Sequence, residues 1–121
     1  NLPLAEGGTL ARRAGAMVAA LGEASVGACG YSSVGAVVAA TKPEDARAMR
    51  EAMPRQIFLV PGFGAQGGTV ETVRELFNPG RRGALITASR SVIFAFEKDD
   101  ADWRAAIARA ARAFVEQLRG V

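Results

Sequence analysis

Between an apolar run at residues 57–60 and a helical pattern that begins near Thr69, the chain reads Pro61-Gly62-Phe63-Gly64-Ala65-Gln66-Gly67-Gly68. A glycine-rich turn at such a junction suits an oxyanion, and phosphate above all. Glycines without side chains let the backbone approach the ligand closely, and the N–H groups of a helix start then point at it with the positive end of the helix dipole. One strand later, residues 84–86 lead to Ser89-Arg90, which supplies a hydroxyl, a further backbone donor and a permanently charged fork shaped for phosphate. Two phosphate-grade elements at consecutive strand ends carry more weight than either alone.

Other chemistries are thinly provided for. The chain has no histidine, which removes Ser-His and Cys-His nucleophiles and the usual near-neutral proton shuttle, and leaves carboxylates, Lys42 and Lys98 as proton movers. Lys98 stands in the solvated run Glu97-Lys98-Asp99-Asp100 and Lys42 sits at a strand end, and an unpaired lysine beside acids is rarely tuned for proton transfer, so both read as surface residues. Cys29 is the single cysteine, so no intrachain disulfide can form, and no tetrahedral zinc set can be assembled. Set between small residues in Ala28-Cys29-Gly30, it reads as a small buried side chain. A reducing cytoplasm fits this usage.

With 121 residues, half of them hydrophobic, the chain has enough material for one small domain with a real core, and no apolar run is long enough to cross a bilayer. The formal charge is +3, with the arginines spread along helical segments and not gathered in one block, which argues against a nucleic-acid surface. The chain reads as soluble and globular. It opens on Asn1 and not on methionine, from which we expect it to begin partway through something larger.

The elements that must position these residues alternate. After a Thr9 cap, Leu10, Ala14, Met17, Val18 and Leu21 share a helical face, and residues 34–40 form a continuous apolar run of strand length. Thr41-Lys42-Pro43-Glu44 has capping-box spacing, and Ala46, Met49 and Met53 continue at helical intervals to Pro54. A second strand at 57–60 is followed by a helix that turns Val70, Val73, Leu76 and Phe77 inward before Asn78-Pro79-Gly80. A third strand covers about 83–87, and residues 91–96 are either its continuation or a short helical lead. A last helix follows Asp99-Asp100, with Trp103, Ile107, Ala110, Phe114 and Leu118 on one face. Strand-then-helix three times over predicts an α/β fold, a parallel sheet covered by helices with its ligand loops at the carboxyl ends of the strands. Three strands cannot close a barrel, and a complete (β/α)8 barrel takes roughly 250 residues.

The segments Val34-Gly35-Ala36-Val37-Val38-Ala39-Ala40-Thr41 with Pro43-Glu44, Phe58 through Gly68, and Ala88-Ser89-Arg90 together resemble the orotidine 5'-phosphate decarboxylases, in particular their second bacterial and mycobacterial type. The resemblance extends over nearly the whole chain in the right order. It implies the last three strand-helix units of a (β/α)8 TIM barrel, the carboxyl-terminal portion that carries the phosphate-binding loops, with residues 1–121 as one such portion. That family converts orotidine monophosphate to uridine monophosphate without a cofactor and without a metal. By the resemblance Gln66 and the loop Gly62, Gly64, Ala65 and Gly67 contact the substrate phosphate, Ser89 and Arg90 grip its other side, and Pro61 lies near the pyrimidine. It also implies a dimer and partnership with an amino-terminal barrel half. At Thr87-Ala88, where many members have Asn-Ser, the chain departs from the pattern in a local hydrogen bond. More important, no stretch matches the family's Asp and Lys cluster on earlier strands, in which carboxylates crowd the leaving carboxylate and a lysine protonates the carbon left behind.

A dinucleotide-binding module is the alternative, because residues 62–67 also fit G-x-G-x-x-G after a strand and before a helix. That fingerprint wants an acidic residue about twenty positions on. Thr87, Ser89 and Arg90 stand there instead, and an arginine suits the 2'-phosphate of NADP.

Overall fold

Short runs of β-branched and large apolar residues bounded by glycine, proline and helix caps become strands here, and the amphipathic stretches between them become helices. The computed structural model describes residues 2–5, 7–39, 42–63 and 68–121. In chain order the elements are α1 (Leu10–Gly22), β1 (Ala36–Val37), α2 (Pro43–Ala52), β2 (Phe58–Pro61), α3 (Val70–Glu75), β3 (Ala84–Thr87) and α4 (Trp103–Leu118), with a 3-10 turn at Glu23–Ser25 after α1. The strands form a parallel sheet in the order β1-β2-β3. Ala36 faces Phe58 and Val37 faces Leu59, while β2 aligns Phe58, Leu59, Val60 and Pro61 with Ala84, Leu85, Ile86 and Thr87.

The sheet's two faces differ. Phe58 and Val60 are completely buried against Ala46 and Met53 near α2 and against Val73 and Leu76 near α3, which makes the core. On the opposite face Val37, Leu59 and Leu85 form one registered row, and they are 71%, 41% and 60% exposed. Continuous apolar strands thus meet helices on one side alone among the described residues.

Helix α1 lies on α2 through its small residues. Gly15 is buried where a Cβ would meet Met49 Cε at 3.2 Å and Met53 Cε at 3.3 Å. The face expected to pack was Leu10, Ala14, Met17, Val18 and Leu21. Of these Val18 turns toward the core, but Leu10, Met17 and Leu21 are 50%, 64% and 74% exposed and Ala14 is exposed as well. The close approach to α2 demands a side chain smaller than these, so Gly15 takes the contact. Thr9 does cap the helix, accepting from Arg12 N at 3.3 Å. At its other end the Gly22 carbonyl accepts from Ser25 Oγ at 3.0 Å and Ser32 Oγ at 2.8 Å.

Arg50 was not singled out by its sequence context, yet it joins four chain segments. Its Nε donates to Leu76 O, one Nη to Met53 O and Gln56 O, and the other Nη to Gly83 O, all at 2.8–2.9 Å. The guanidinium also lies 3.6 Å from the Phe58 ring centroid. Met53 and Leu76 are the C-cap residues of α2 and α3, so the cation sits at the negative ends of two helix dipoles. Burial lowers its pKa to about 10, which keeps it charged at neutral pH. Its spacing from Ala46 and Met53 puts it on the inward face of α2.

Several expectations need correction. The first strand spans two residues and not 34–40: its register with β2 covers Ala36 and Val37, and its backbone bonds to that neighbour are Ala36 N to Ile57 O and Val38 N to Leu59 O; Ala40 lies outside the described residues. Thr41 does too, and the residue that precedes α2 as N-cap is Lys42, without a side-chain cap bond. Residues 91–94 form turns, neither strand nor helix, with Val92 N and Ile93 N both donating to Ser89 O. The N-cap of α4 is Asp102, and Asp100 Oδ1 accepts from its N–H at 2.8 Å. Cys29 is exposed and not buried. It sits on a tight turn that Gly27 N to Tyr31 O and Gly30 N to Gly27 O close, which leaves its side chain no core to enter.

Candidate functional site

Strands β2 and β3 end level with each other, since Pro61 is aligned with Thr87. Beyond them the chain leaves in two polar turns with a cleft of about 210 Å³ between, lined by Pro61, Gly62 and Phe63 on one side and Thr87 through Ser91 on the other. Gly62 has φ 86°, a left-handed conformation that an L side chain resists, and it directs the chain away from the sheet. Phe63 then turns back into the core at 6% exposure and pairs through a parallel bridge with Gly68. Gly64, Ala65, Gln66 and Gly67 lie outside the described residues. Phe63 and Gly68 flank these residues, and Gly68 leads directly into the Thr69 cap of α3.

On the other wall the turn after β3 is closed by Ile93 N donating to Ser89 O at 2.7 Å and Val92 N at 3.2 Å. Ser89 and Arg90 are exposed on this turn. Among the described residues Arg90 has no hydrogen bond and no ion pair, although ion pairs elsewhere on the surface join Arg47 to Glu75 and Arg55 to Glu23. A cation on the rim of a cleft with no protein partner is available to an anion. Thr87 Oγ1 donates to Val60 O at 3.4 Å, a long bond that ties the two strand ends together.

Of the residues read from the sequence, Pro61, Gly62, Ser89 and Arg90 come together around one cleft. Phe63 and Thr87 are additions. Phe63 was legible in principle, since a large apolar residue in a glycine turn has nowhere favourable to go but inward. The helix-dipole element is weaker than expected: α3 has six residues, and the Thr72 N–H is already bonded to Thr69 Oγ1 at 3.3 Å. Lys42 and Lys98 are exposed and do not line the cleft. Among the described residues no group of three or more histidine, cysteine, aspartate or glutamate side chains could hold a metal ion.

A helix-backed parallel sheet with its polar turns gathered at the carboxyl ends of the strands defines an arc of the α/β barrel class. The chain is 41% identical to the orotidine 5'-phosphate decarboxylase of Rhodopirellula baltica, over 70% of this chain and 30% of that protein. It is 46% identical to that of Halobacterium salinarum, over 68% of this chain and 30% of that protein. A crystal structure described as a candidate orotidine-monophosphate-decarboxylase from Toxoplasma gondii superposes with a TM-score of 0.75 at 25% identity, over 98% of this chain and 43% of that one. No family model matches. The chain is thus similar to orotidine 5'-phosphate decarboxylases, and its matched part spans about 30% of the length of these relatives. These relatives take the decarboxylase side against the dinucleotide-binding alternative.

Proposed function

We propose that this chain supplies the substrate-phosphate grip of an orotidine 5'-phosphate decarboxylase. The observation that carries the reading is the meeting of Pro61, Gly62, Ser89 and Arg90, which has no partner among the described residues, around one cleft at the ends of β2 and β3, in a chain whose relatives bear that name. In this reading Gln66 and the backbone of Gly62, Gly64, Ala65 and Gly67 hold one side of the phosphate. Ser89 and the Arg90 guanidinium hold the other, and Pro61 borders the pyrimidine.

The reaction breaks the bond between the ring and its carboxyl group, releases carbon dioxide, and protonates the ring carbon that keeps the electron pair. Lys42 and Lys98 lie away from the cleft, so the proton donor and the carboxylates that strain the ground state come from an amino-terminal part of the barrel. Binding energy from the remote phosphate then holds the loop closed and organises the reacting end, so that loss of the grip lowers catalytic efficiency as well as affinity.

Arg90→Ala and Gln66→Ala test the assignment. In an assembly that binds nucleotide, each should weaken uridine monophosphate far more than uridine, with the arginine change costing about 1.5–3 kcal/mol as for a hydrogen bond to a charged group. Equal weakening of nucleotide and nucleoside would remove the phosphate from this cleft.

A further inference from the structure

Ser91 lines the cleft between the ends of β2 and β3, yet it has no part in the grip described so far. It follows Arg90 on the exposed turn after β3. The Ser89 carbonyl accepts from both Val92 N at 3.2 Å and Ile93 N at 2.7 Å, which leaves the two N–H groups before them, those of Arg90 and Ser91, with no acceptor among the described residues. Consecutive N–H groups on one tight turn make a concave nest for an anion. The Ser91 hydroxyl likewise has no hydrogen bond among the described residues, whereas those of Thr9, Ser25, Ser32 and Thr69 are all engaged in caps and turns.

Neighbouring residues of the cleft offer less. Pro61 has no N–H, Thr87 Oγ1 is bonded to Val60 O, and Ala88 has no polar side chain. No aspartate or glutamate lines the space, so nothing there opposes the charge that Arg90 favours. At about 210 Å³ the cleft is smaller than the roughly 300–1,000 Å³ of sites that enclose a whole small molecule, and it suits the charged end group of one.

We propose that Ser91 is a direct ligand of the substrate phosphate, its hydroxyl and N–H binding the anion beside the N–H and guanidinium of Arg90. The inference rests on the phosphate-grip reading above. A phosphate monoester presents three strong acceptor oxygens, of which a bidentate arginine takes two. Ser91 meets the oxygen that remains. Its donors are fixed by the turn before the ligand arrives, so binding the anion requires little reorganisation.

The test measures uridine monophosphate and uridine by ligand-detected NMR against the full 121-residue chain, with an amino-terminal barrel portion from a relative added equally to every sample. Ser91 is exposed on a turn, so its variants should fold. Ser91→Ala should cut the preference for nucleotide over nucleoside by about tenfold, with uridine affinity unchanged. Ser91→Thr, which keeps the hydroxyl, should retain the preference, and Ser91→Asp, which sets a carboxylate against the anion, should abolish it. A Ser91→Ala chain that keeps the full preference, or that loses nucleotide and nucleoside alike, overturns the proposal, as does a Ser91→Thr chain no better than Ser91→Ala. If Arg90→Ala still lowers the preference in the same assay, the grip reading stands without Ser91. Should the unaltered chain show no preference and Arg90→Ala change nothing, the grip reading fails and the role of Ser91 falls with it.

Discussion

Arg50 shows how a single side chain closes gaps that secondary structure leaves. Helix ends carry carbonyls without intrahelical partners, and two of the four oxygens that Arg50 reaches, Met53 O and Leu76 O, are of this kind. Gly83 O also receives Phe58 N and would keep a partner without the arginine, but Leu76, Met53 and Gln56 would lose theirs. Arg50→Met should therefore cost about 3 kcal/mol or more, read as a lowered denaturant midpoint. Arg50→Lys should recover little of it, because an ammonium is a point donor and cannot span four acceptors. Burial lowers the folded pKa to about 10, below the ordinary guanidinium value, so the cost of burying the charge is constant below about 10 and is relieved only above it. A midpoint for Arg50→Met within error of the unaltered chain would reduce this network to decoration.

Among the elements, α2 and α3 are tied by a bidentate pair, Arg47 Nε to Glu75 Oε2 at 2.8 Å and Arg47 Nη to Glu75 Oε1 at 2.9 Å. The hydrogen bonds from Arg47, followed by its charge, hold the Glu75 carboxyl below the usual carboxylate range. A carboxyl depressed in the folded state contributes stability that is present above the unfolded value of 4.5 and lost as the pH falls through the lower folded value. Thermal melts of the unaltered chain and Glu75→Gln, taken from neutral pH to about pH 3, should differ at neutral pH and converge below about 4.5. Curves that stay parallel through the acid range would show that the pair adds nothing. The same local device opens α1 and α3: each follows Gly-Gly-Thr, and Thr9 and Thr69 both accept from the N–H three residues on at 3.3 Å.

For the molecule as a whole the unbalanced sheet is decisive. Edges β1 and β3 each pair on one side among the described residues, and the row Val37, Leu59 and Leu85 presents apolar surface where a closed barrel has its packed interior. Exposed surface of that kind recruits partners. At low micromolar concentration the isolated chain should sediment as a dimer or larger species. A single monomer with a cooperative thermal transition would mean that these units satisfy their own core. Because the candidate proton movers Lys42 and Lys98 stand apart from the cleft, the chain by itself should release no carbon dioxide from orotidine monophosphate above background, and an amino-terminal barrel portion from a relative should restore turnover. Steady turnover by the 121-residue chain alone would require a catalyst among its own lysines and acids.

The order of strands and helices, and the convergence of Pro61, Gly62, Ser89 and Arg90 at one rim, were legible from residue spacing. Parallel strands joined by helices bring their carboxyl ends together, so position along the chain carries over directly into position on the rim. Periodicity also identified which residues of α1 share a face, but it does not say which face is covered. That depended on how closely α2 approaches, and the buried Gly15 took the contact from Leu10, Met17 and Leu21. Cys29 went outward for the related reason that its turn leads away from the core. The reach of Arg50 to four carbonyls and the meeting of Phe63 with Phe114 join residues far apart in the chain, and distances of that kind exist only once the sheet and helices have packed.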